Sequence, residues 1–385
     1  MEQIEPLTAP GLGDGIRSRF IEPVNGLRLH ILEAGYETPD RPLLLLLHGF
    51  PELAYSWRKV MRPLAAAGYH VVAPDQRGYG RTTGWSAAYD QDLRPFSMLH
   101  LAGDAVALVY ALGHRHADVV GHDFGSPVAA WCALTRPDVF HSVVLMSAPF
   151  PGTPAPLIPD TAAAGGLHAS KEAVAQGLAG LPRPRKHYQW YYSEREANAD
   201  MMQAPQGLHA FLRAYFHFKS ADYEGNTPYR LASAAPEQLA QMPTYYIMDL
   251  ADDMAATVAP YMPAQDAIAA CAWMPESEMA IYAQEFGRTG FQGGLNWYRT
   301  RFEAGLAADQ RLYASKTIDV PSMFIAGASD WGIYQAPGAL EAMQQRATTR
   351  MLGCHLVDGA GHWVMQEQPE AVAGLLLDFL GQKAS

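Results

Sequence analysis

Short aliphatic runs separated by helical patterns constrain the fold of this chain more than any other feature. Residues 43–47 are five consecutive leucines, and similar runs occupy 70–73, 117–120 and 142–146. A run without polar alternation is typical of a strand that is covered on both faces, as in a mostly parallel sheet. Helical patterns, for example at 98–112, separate the runs. This alternation predicts an α/β domain with right-handed crossovers.

Asn25-Gly26 lies between two strand-like segments ahead of this region. Both turn positions of a tight hairpin favour positive φ, which asparagine and glycine tolerate well. The pair therefore predicts a β-hairpin at the start of the sheet.

The strand–helix alternation stops at a proline-rich segment near residue 150 and resumes at residue 321, with a final helix from about Pro369. The segment between is mainly helical in pattern and holds 12 of the 19 tyrosines and 8 of the 16 methionines. Such side chains suit the wall of an adaptable apolar cavity, although most of them would pack in the segment's own core. We predict an α/β core from residues 1–149 and 316–385, interrupted by a helical cap at 150–315.

The charge and cysteine content exclude several classes of partner. The formal net charge is -11 and no long basic run occurs, so neither nucleic acid nor an anionic membrane is expected as a partner.

Three widely spaced cysteines predict free, mostly buried thiols in a reducing compartment. The N-terminus has no signal-peptide pattern, and no apolar run could span a bilayer, which predicts a cytoplasmic protein. His114-Arg115-His116 lacks a third ligand at suitable spacing, so no metal and no cofactor are expected.

The segment 119–126 carries the strongest indication of chemistry. Its order, small-X-nucleophile-X-small, places Asp123 between Gly121 and Gly125, where a strand turns into a helix that is predicted at 124–135. This spacing is typical of a nucleophile elbow, in which glycines let the strand and helix backbones approach closely. The helix N-terminus then stabilises negative charge on the central side chain. A Gly-X-Asp-X-Gly string alone would also fit an ordinary turn, so its position in the strand–helix order carries the prediction.

Aspartate at the elbow changes the chemistry that is expected there. A carboxylate with a pKa near 4 is already ionised at neutral pH and can displace a leaving group from a saturated carbon. The resulting alkyl ester would be hydrolysed by water that a base activates. The substrate must therefore carry an electrophilic sp3 carbon, as an epoxide or an alkyl halide does.

His362 is the predicted base, since it lies in a glycine-rich loop, Gly361-His362, after the last strand. An arbitrary histidine among 14 would more often be structural. Asp330 follows the strand predicted at 321–326 and is the expected orienting acid; Asp358 is the competing candidate. The chain order nucleophile, acid, histidine is the order found in α/β folds that carry a nucleophile elbow.

The loop 47–52 follows a strand and precedes a helix, so its backbone N–H groups can face a tetrahedral intermediate. Phe50 and Phe124 are the predicted pair of oxyanion donors. Taken alone, the loop would fit an ordinary connection between a strand and a helix; together with the elbow it indicates an oxyanion hole.

These residues resemble the soluble epoxide hydrolases of the α/β-hydrolase superfamily across nearly the whole chain. The matching strings are His48-Gly49-Phe50-Pro51-Glu52 with Ser56-Trp57-Arg58, Asp75-Gln76-Arg77-Gly78-Tyr79-Gly80, Gly121-His122-Asp123, and Gly361-His362-Trp363. The resemblance implies the α/β-hydrolase fold with an inserted cap, a cis Phe50-Pro51 peptide bond, and conversion of an epoxide to a vicinal diol. Tryptophans of the matching motifs are expected in the substrate pocket: Trp57, Trp190, Trp297 and Trp363.

Two cap segments, 187–192 and 294–299, are similar to the family's tyrosine motifs. The resemblance implies that Tyr188 and Tyr298 hydrogen-bond the epoxide oxygen, with Tyr191 or Tyr192 as substitutes for Tyr188. The chemistry agrees, because the alkoxide that forms is a poor leaving group unless a phenol protonates it. Any single cap tyrosine would otherwise be read as structural.

Phe124 is a departure from the family, which commonly has tryptophan after the nucleophile. Haloalkane dehalogenases, the alternative reading with the same nucleophile, use that tryptophan as a halide donor, so Phe124 counts against them. No arginine occurs from 124 to 131 to hold a substrate carboxylate, as fluoroacetate dehalogenases require. A ligand-binding protein without catalysis is the third reading. The long segment at 220–272 would narrow the pocket mouth or mediate homo-oligomer formation.

Overall fold

The computed structural model describes residues 4–154 and 171–383. Its strands are β1 (Ile16–Val24), β2 (Leu27–Ala34), β3 (Leu43–Leu47), β4 (His70–Pro74), β5 (Ala117–His122), β6 (Phe140–Met146), β7 (Arg185–His187), β8 (Ile247–Asp249), β9 (Ser322–Gly327) and β10 (Met351–Val357). Eight of these strands form one sheet in the order β1-β2-β4-β3-β5-β6-β9-β10, and β7 pairs with β8 separately.

The large sheet is mostly parallel. β2 runs antiparallel to its neighbours β1 and β4, and every other neighbouring pair in this sheet is parallel. The predicted hairpin is confirmed: Asn25 and Gly26 connect β1 to β2 with φ of 47° and 81°. All five leucines of β3 are buried, because helices cover both faces of the sheet as the unbroken apolar run predicted.

Helices flank the sheet and, with the β7–β8 pair, account for the regular secondary structure described between β6 and β9. They are α1 (Arg58–Ala66), α2 (Met98–Ala111), α3 (Gly125–Thr135), α4 (Lys171–Ala179), α5 (Tyr188–Tyr191), α6 (Ala197–Met202), α7 (Leu208–Lys219), α8 (Pro236–Leu239), α9 (Met254–Val258), α10 (Gln265–Ala270), α11 (Glu276–Thr289), α12 (Gln292–Thr300), α13 (Ala304–Gln310), α14 (Ala339–Ala342), α15 (Val364–Glu367) and α16 (Pro369–Gln382). A π-helical turn, Met343–Ala347, continues α14.

The chain thus leaves the sheet after β6 and returns to it at β9. Helices α4 to α13 and the β7–β8 pair form the intervening layer, which we call the cap. The domain boundaries at 149/150 and 315/316 stay a prediction, and residues 155–170 of the predicted cap lie outside the described residues.

The register of β3 against β5 positions the functional loops. Leu47 pairs with Gly121, so the loop after β3 and the turn after β5 emerge side by side at the carboxyl edge of the sheet. The carboxyl ends of parallel strands are where this class of fold binds ligands.

The structure also tests the expectations about the cysteines and about membrane-spanning helices. The cysteines are free, but only Cys132 is buried; Cys271 is half-buried and Cys354, on the edge strand β10, is exposed, so the expectation of mostly buried thiols is wrong. None of the helices within residues 4–154 and 171–383 combines the length and apolar character that a membrane crossing requires.

Candidate active site

Asp123 occupies the sharp turn between β5 and α3. Its φ is 51°, a left-handed conformation that is costly for a residue with a side chain. A Cβ atom at Gly121 would overlap the carbonyl of Gly125, and one at Gly125 would overlap the carbonyl of Leu47. The two glycines therefore permit a turn that projects the Asp123 carboxylate from the sheet edge at the start of a helix.

His362 contacts two carboxylates. Its Nε2 lies 3.3 Å from Oδ2 of Asp123, and its Nδ1 lies 3.1 Å from Oδ1 and 3.2 Å from Oδ2 of Asp330. Asp330 is also anchored, because it accepts the backbone N–H of Gly332 at 2.6 Å. Asp358, the competing acid, is exposed and makes no such contact. The structure brings Asp123, His362 and Asp330 together, and all three are buried.

The charges of these groups depend on one another. Burial acts to raise the pKa of Asp123, but the imidazole of His362 and the ammonium of Lys219 hold it well below its usual range. Burial and Lys219 act to lower the pKa of His362, yet Asp330 and Asp123 raise it to about 9. In the free protein the carboxylate is therefore ionised and the imidazole protonated at neutral pH.

One of the two predicted oxyanion donors contacts the carboxylate, and the N–H group of the other is free in the part of the chain that the structure describes. Phe50 donates its N–H to Oδ1 of Asp123 at 2.9 Å, and the Phe50–Pro51 peptide bond is cis, as the resemblance implied. Phe124 follows Asp123 and directly precedes α3. Its N–H has no acceptor among the described residues, so it can serve a ligand.

A cavity of about 240 Å³ opens between Asp123 and the cap. Tyr188, at the start of α5, and Tyr298, on α12, line it together with Phe124. The two phenol rings lie 6.0 Å apart, and the Tyr298 ring packs edge-on against Phe50 and Phe124 at 5.5 and 4.8 Å. The tyrosines thus cover the carboxylate from the cap side.

The hydroxyls of the cap tyrosines differ in their partners. Tyr188 donates to Oε1 of Gln335 at 2.9 Å, whereas the Tyr298 hydroxyl has no hydrogen-bond partner among the described residues. Burial and the charge of Asp123 raise the pKa of both phenols, so both stay protonated. The substitutes are engaged elsewhere: Tyr191 donates to Asp200, and Tyr192 to Tyr215.

The four tryptophans expected in the pocket need a correction, because none of them lines this cavity. Trp57, Trp297 and Trp363 are fully buried in the packing around the site. Trp297 donates its Nε1–H to the carbonyl of Arg77, and Trp363 donates to that of Phe216. The motifs that contain them hold structural anchors next to functional residues, which motif matching alone does not separate.

Lys219, at the end of α7, is a residue near the site that the sequence analysis missed. Its ammonium is buried and makes no hydrogen bond or ion pair with any described residue. It lies 5.1–5.8 Å from the ring centroids of Tyr215, Tyr245, Tyr246 and Trp363, within the range of cation–π attraction. Nothing in its local sequence indicates this position, since α7 joins the core only in the tertiary fold.

Glu52 was also missed, although it belongs to a quoted motif. Its carboxylate accepts the N–H of Gly49 at 2.9 Å and pairs with Nδ1 of His122 at 2.6 Å. The Nε2 of His122 is 2.7 Å from the carbonyl oxygen of His362. This buried chain joins the loop after β3, the elbow and the His362 loop, so it holds the three parts of the site in register.

Known proteins resemble this chain in sequence and in fold. A family model described as the alpha/beta hydrolase fold matches residues 42–168. The chain is 34% identical over 374 residues to Epoxide hydrolase A of Mycobacterium tuberculosis, covering 95% of this chain and 98% of the relative. A solved epoxide hydrolase from an endophytic Streptomyces is 31% identical, with a TM-score of 0.73 and 96% of each chain covered. The crystal structure of Epoxide Hydrolase A from Mycobacterium thermoresistibile is 31% identical, with a TM-score of 0.70, covering 95% of this chain and 98% of that one.

Proposed function

The chain belongs to the epoxide hydrolases of the α/β-hydrolase fold, and on that premise we propose that Asp123 is the nucleophile that opens an epoxide on the way to a vicinal diol. The proximity of Asp123 to both His362 and the two cap tyrosines carries this proposal. A nucleophile and two acids line one cavity, and the base contacts the nucleophile from behind it at 3.3 Å. This combination matches a reaction that forms an ester and then hydrolyses it.

In the first step, Oδ2 of Asp123 attacks a ring carbon and the bond from that carbon to the ring oxygen breaks. The oxygen takes the electron pair and receives a proton from Tyr298 or Tyr188. The free hydroxyl of Tyr298 supports its role as a donor, because no internal partner has to be given up. The products of this step are an alkyl ester on Asp123 and a hydroxyl on the neighbouring carbon.

In the second step, His362 takes a proton from water, and the water oxygen bonds to Cγ of Asp123. The N–H groups of Phe50 and Phe124 stabilise the oxyanion, which is Oδ1. When the intermediate collapses, the alkyl oxygen leaves with the proton from His362 as the second hydroxyl of the diol. The other water proton restores the tyrosine as Asp123 regains its charge. Asp330 orients the imidazole through Nδ1.

The change of charge on Asp123 determines when His362 can act as a base. The carboxylates raise the pKa of His362 to about 9 in the free protein, which leaves little neutral imidazole at neutral pH. Esterification removes the charge of Asp123, so the pKa of His362 falls and the imidazolium releases its proton to solvent, which makes the base form available when water must be activated. The imidazole takes up a proton from solvent again once Asp123 regains its charge.

A single turnover in water enriched in ¹⁸O tests the covalent route. With enzyme in excess over styrene oxide, the first diol should carry unlabelled oxygen, because that oxygen comes from Oδ2 of Asp123. Later turnovers should show the label as the carboxylate exchanges its oxygen. Labelled diol in the first turnover would mean direct attack by water and would exclude the ester.

The partner of the site is a small-molecule epoxide. A net charge of -11 and the scarcity of basic clusters support the further proposal that neither nucleic acid nor a membrane surface is bound. The three free cysteines support a reducing, cytoplasmic location. Self-association remains an alternative role for the segment 220–272.

A further inference from the structure

The carboxylate of Glu367, at the end of α15, accepts three backbone N–H groups. Its Oε1 accepts from Trp363 at 2.9 Å, and its Oε2 accepts from Gly361 at 2.9 Å and from Ala221 at 2.8 Å. Gly361 and Trp363 are the two neighbours of His362 in the chain, and Ala221 belongs to the cap. One side chain thus holds both sides of the histidine and joins them to the cap.

The His362 peptide itself is held by other groups. Its N–H donates to the carbonyl of Lys219 at 2.9 Å, and its carbonyl faces Nε2 of His122 at 2.7 Å. The backbone around the base is therefore bonded at four consecutive points, two of which depend on Glu367. Gly361 also packs so closely on the cap backbone at Ser220 that a Cβ atom there would overlap it.

We propose that Glu367 is a positioning residue for the second chemical step: it holds the His362 loop against the cap so that the imidazole is in place to activate the water that attacks the ester on Asp123. The inference rests on the proposed function, since it concerns hydrolysis of that ester. Glu367 does not line the cavity at Asp123, and it acts through the backbone of its neighbours.

A carboxylate is required here because all three partners are donors. Burial raises the pKa of Glu367 to about 7, although the three N–H groups act to lower it. The ionised form accepts through both oxygens, and charge-assisted bonds to N–H groups are stronger than neutral ones. Glutamine would present an NH₂ group to at least one N–H, leaving that N–H without an acceptor. The loop could then shift, and a base displaced by a fraction of an ångström activates water poorly.

The role can be separated from a purely structural one, because His362 acts in one of the two steps. If Glu367 positions His362, its loss slows hydrolysis of the ester while alkylation of Asp123 continues at nearly the same rate. General loss of folded protein would instead reduce the amount of active enzyme and leave the ratio of the two rates unchanged.

The experiment compares wild-type protein with Glu367→Gln and with the control Glu370→Gln, an exposed glutamate in the first turn of α16. Rapid acid quench of the reaction with styrene oxide, followed by mass spectrometry of the intact protein, gives the rates of ester formation and loss. For Glu367→Gln we expect hydrolysis to fall at least about tenfold relative to alkylation, so that ester accumulates and KM falls together with kcat. Glu370→Gln should match the wild type.

An unchanged ratio of the two rates in Glu367→Gln would overturn the inference. If that variant does not fold, Glu367→Asp serves in its place; it keeps the charge but shortens the reach, and it should show the same accumulation to a smaller degree. Labelled diol in the first turnover of the wild-type protein in ¹⁸O water would instead refute the proposed function, so the two failures are distinguishable.

Discussion

Phe50 donates its backbone N–H to Oδ1 of Asp123 at 2.9 Å, and this bond distinguishes the two oxygens of the carboxylate. Oδ2 lies on the side of His362, 3.3 Å from its Nε2. In the proposed mechanism, the bond from Phe50 keeps Oδ1 in the position where the oxyanion would form, and Oδ2 is the oxygen that attacks the substrate. The donor needs no rearrangement between the two steps, which is the condition under which such groups stabilise a transition state most.

Asp123→Asn should abolish turnover and lower the pKa of His362. The amide cannot form the ester, so we expect kcat to fall by at least about a thousandfold. Asp123 is one of the two carboxylates that raise the pKa of His362 to about 9, so removing its charge lowers that pKa. An NMR titration of the ring nitrogens measures it. A pKa that stays at its wild-type value would mean that Asp123 has no influence on the imidazole.

His362→Gln should stop the reaction after one step. The nucleophile and the tyrosines remain, so we expect the ester to form and persist, seen as a mass increase of the intact protein equal to that of the epoxide. His116→Gln, a change far from the cavity at the opposite end of β5, is the control. If turnover in His362→Gln equalled that of the wild type, another group would have to be the base.

Tyr298→Phe and Tyr188→Phe should slow alkylation. Each change removes a proton donor from the ring oxygen, and we expect a loss of about 10- to 100-fold for either one and a larger loss for the pair. Tyr298→Phe should leave the fold intact, because its hydroxyl has no partner among the described residues. Stopped-flow measurement of the first step provides the rates, and Tyr229→Phe, an exposed residue, is the control. Halide release from haloalkanes at an undiminished rate in the double variant would favour the dehalogenase reading.

Lys219→Met should move the acidic limb of the pH–rate profile upward. The ammonium lowers the pKa of His362, so its removal raises that pKa and leaves less neutral imidazole at a given pH. We expect the limb in kcat to shift by about one pH unit toward higher pH. Lys316→Met, which removes an exposed lysine, should leave the profile unchanged. A shift toward lower pH would contradict the assigned direction.

Gly121→Ala should destabilise the elbow, because the new Cβ atom overlaps the backbone carbonyl of Gly125. We expect the free energy of unfolding to fall by about 1–3 kcal/mol. Gly374→Ala, in the middle of α16 with open space at its Cβ, should instead raise it by roughly 0.5–1 kcal/mol through better helix propensity. Denaturant unfolding curves measure both. Equal stability of Gly121→Ala and the wild type would show that the turn tolerates a side chain.

Features carried by consecutive residues could be predicted from the sequence. The unbroken apolar run predicted β3, and the positive φ that Asn25 and Gly26 tolerate predicted the hairpin turn. The close approach of two backbones explained the glycines around Asp123. These patterns place the loops at one edge of the sheet, because strand order and crossover handedness follow general rules. The loops that carry Asp123, Asp330 and His362 therefore meet there.

The orientation of the motif tryptophans could not be predicted from the sequence. An indole inside a motif can face the cavity or pack behind it, and both placements satisfy the same local pattern. Trp57, Trp297 and Trp363 pack behind the site, where the orientation of each ring depends on neighbours from distant parts of the chain, such as Arg77 and Phe216. No local signal could have decided this.

By itself the sequence determined the α/β sheet and the sharp turn that carries Asp123, and it predicted the kind of carbon that such a carboxylate would attack, because these depend on local backbone conformation and on the chemistry of one functional group. Only the tertiary structure decided which acid contacts His362, which cap tyrosine keeps a free hydroxyl, and that Lys219 and Glu367 lie beside or behind the base. Those relations join residues far apart in the chain, and their energies depend on distances and burial that exist only once the cap is packed on the core.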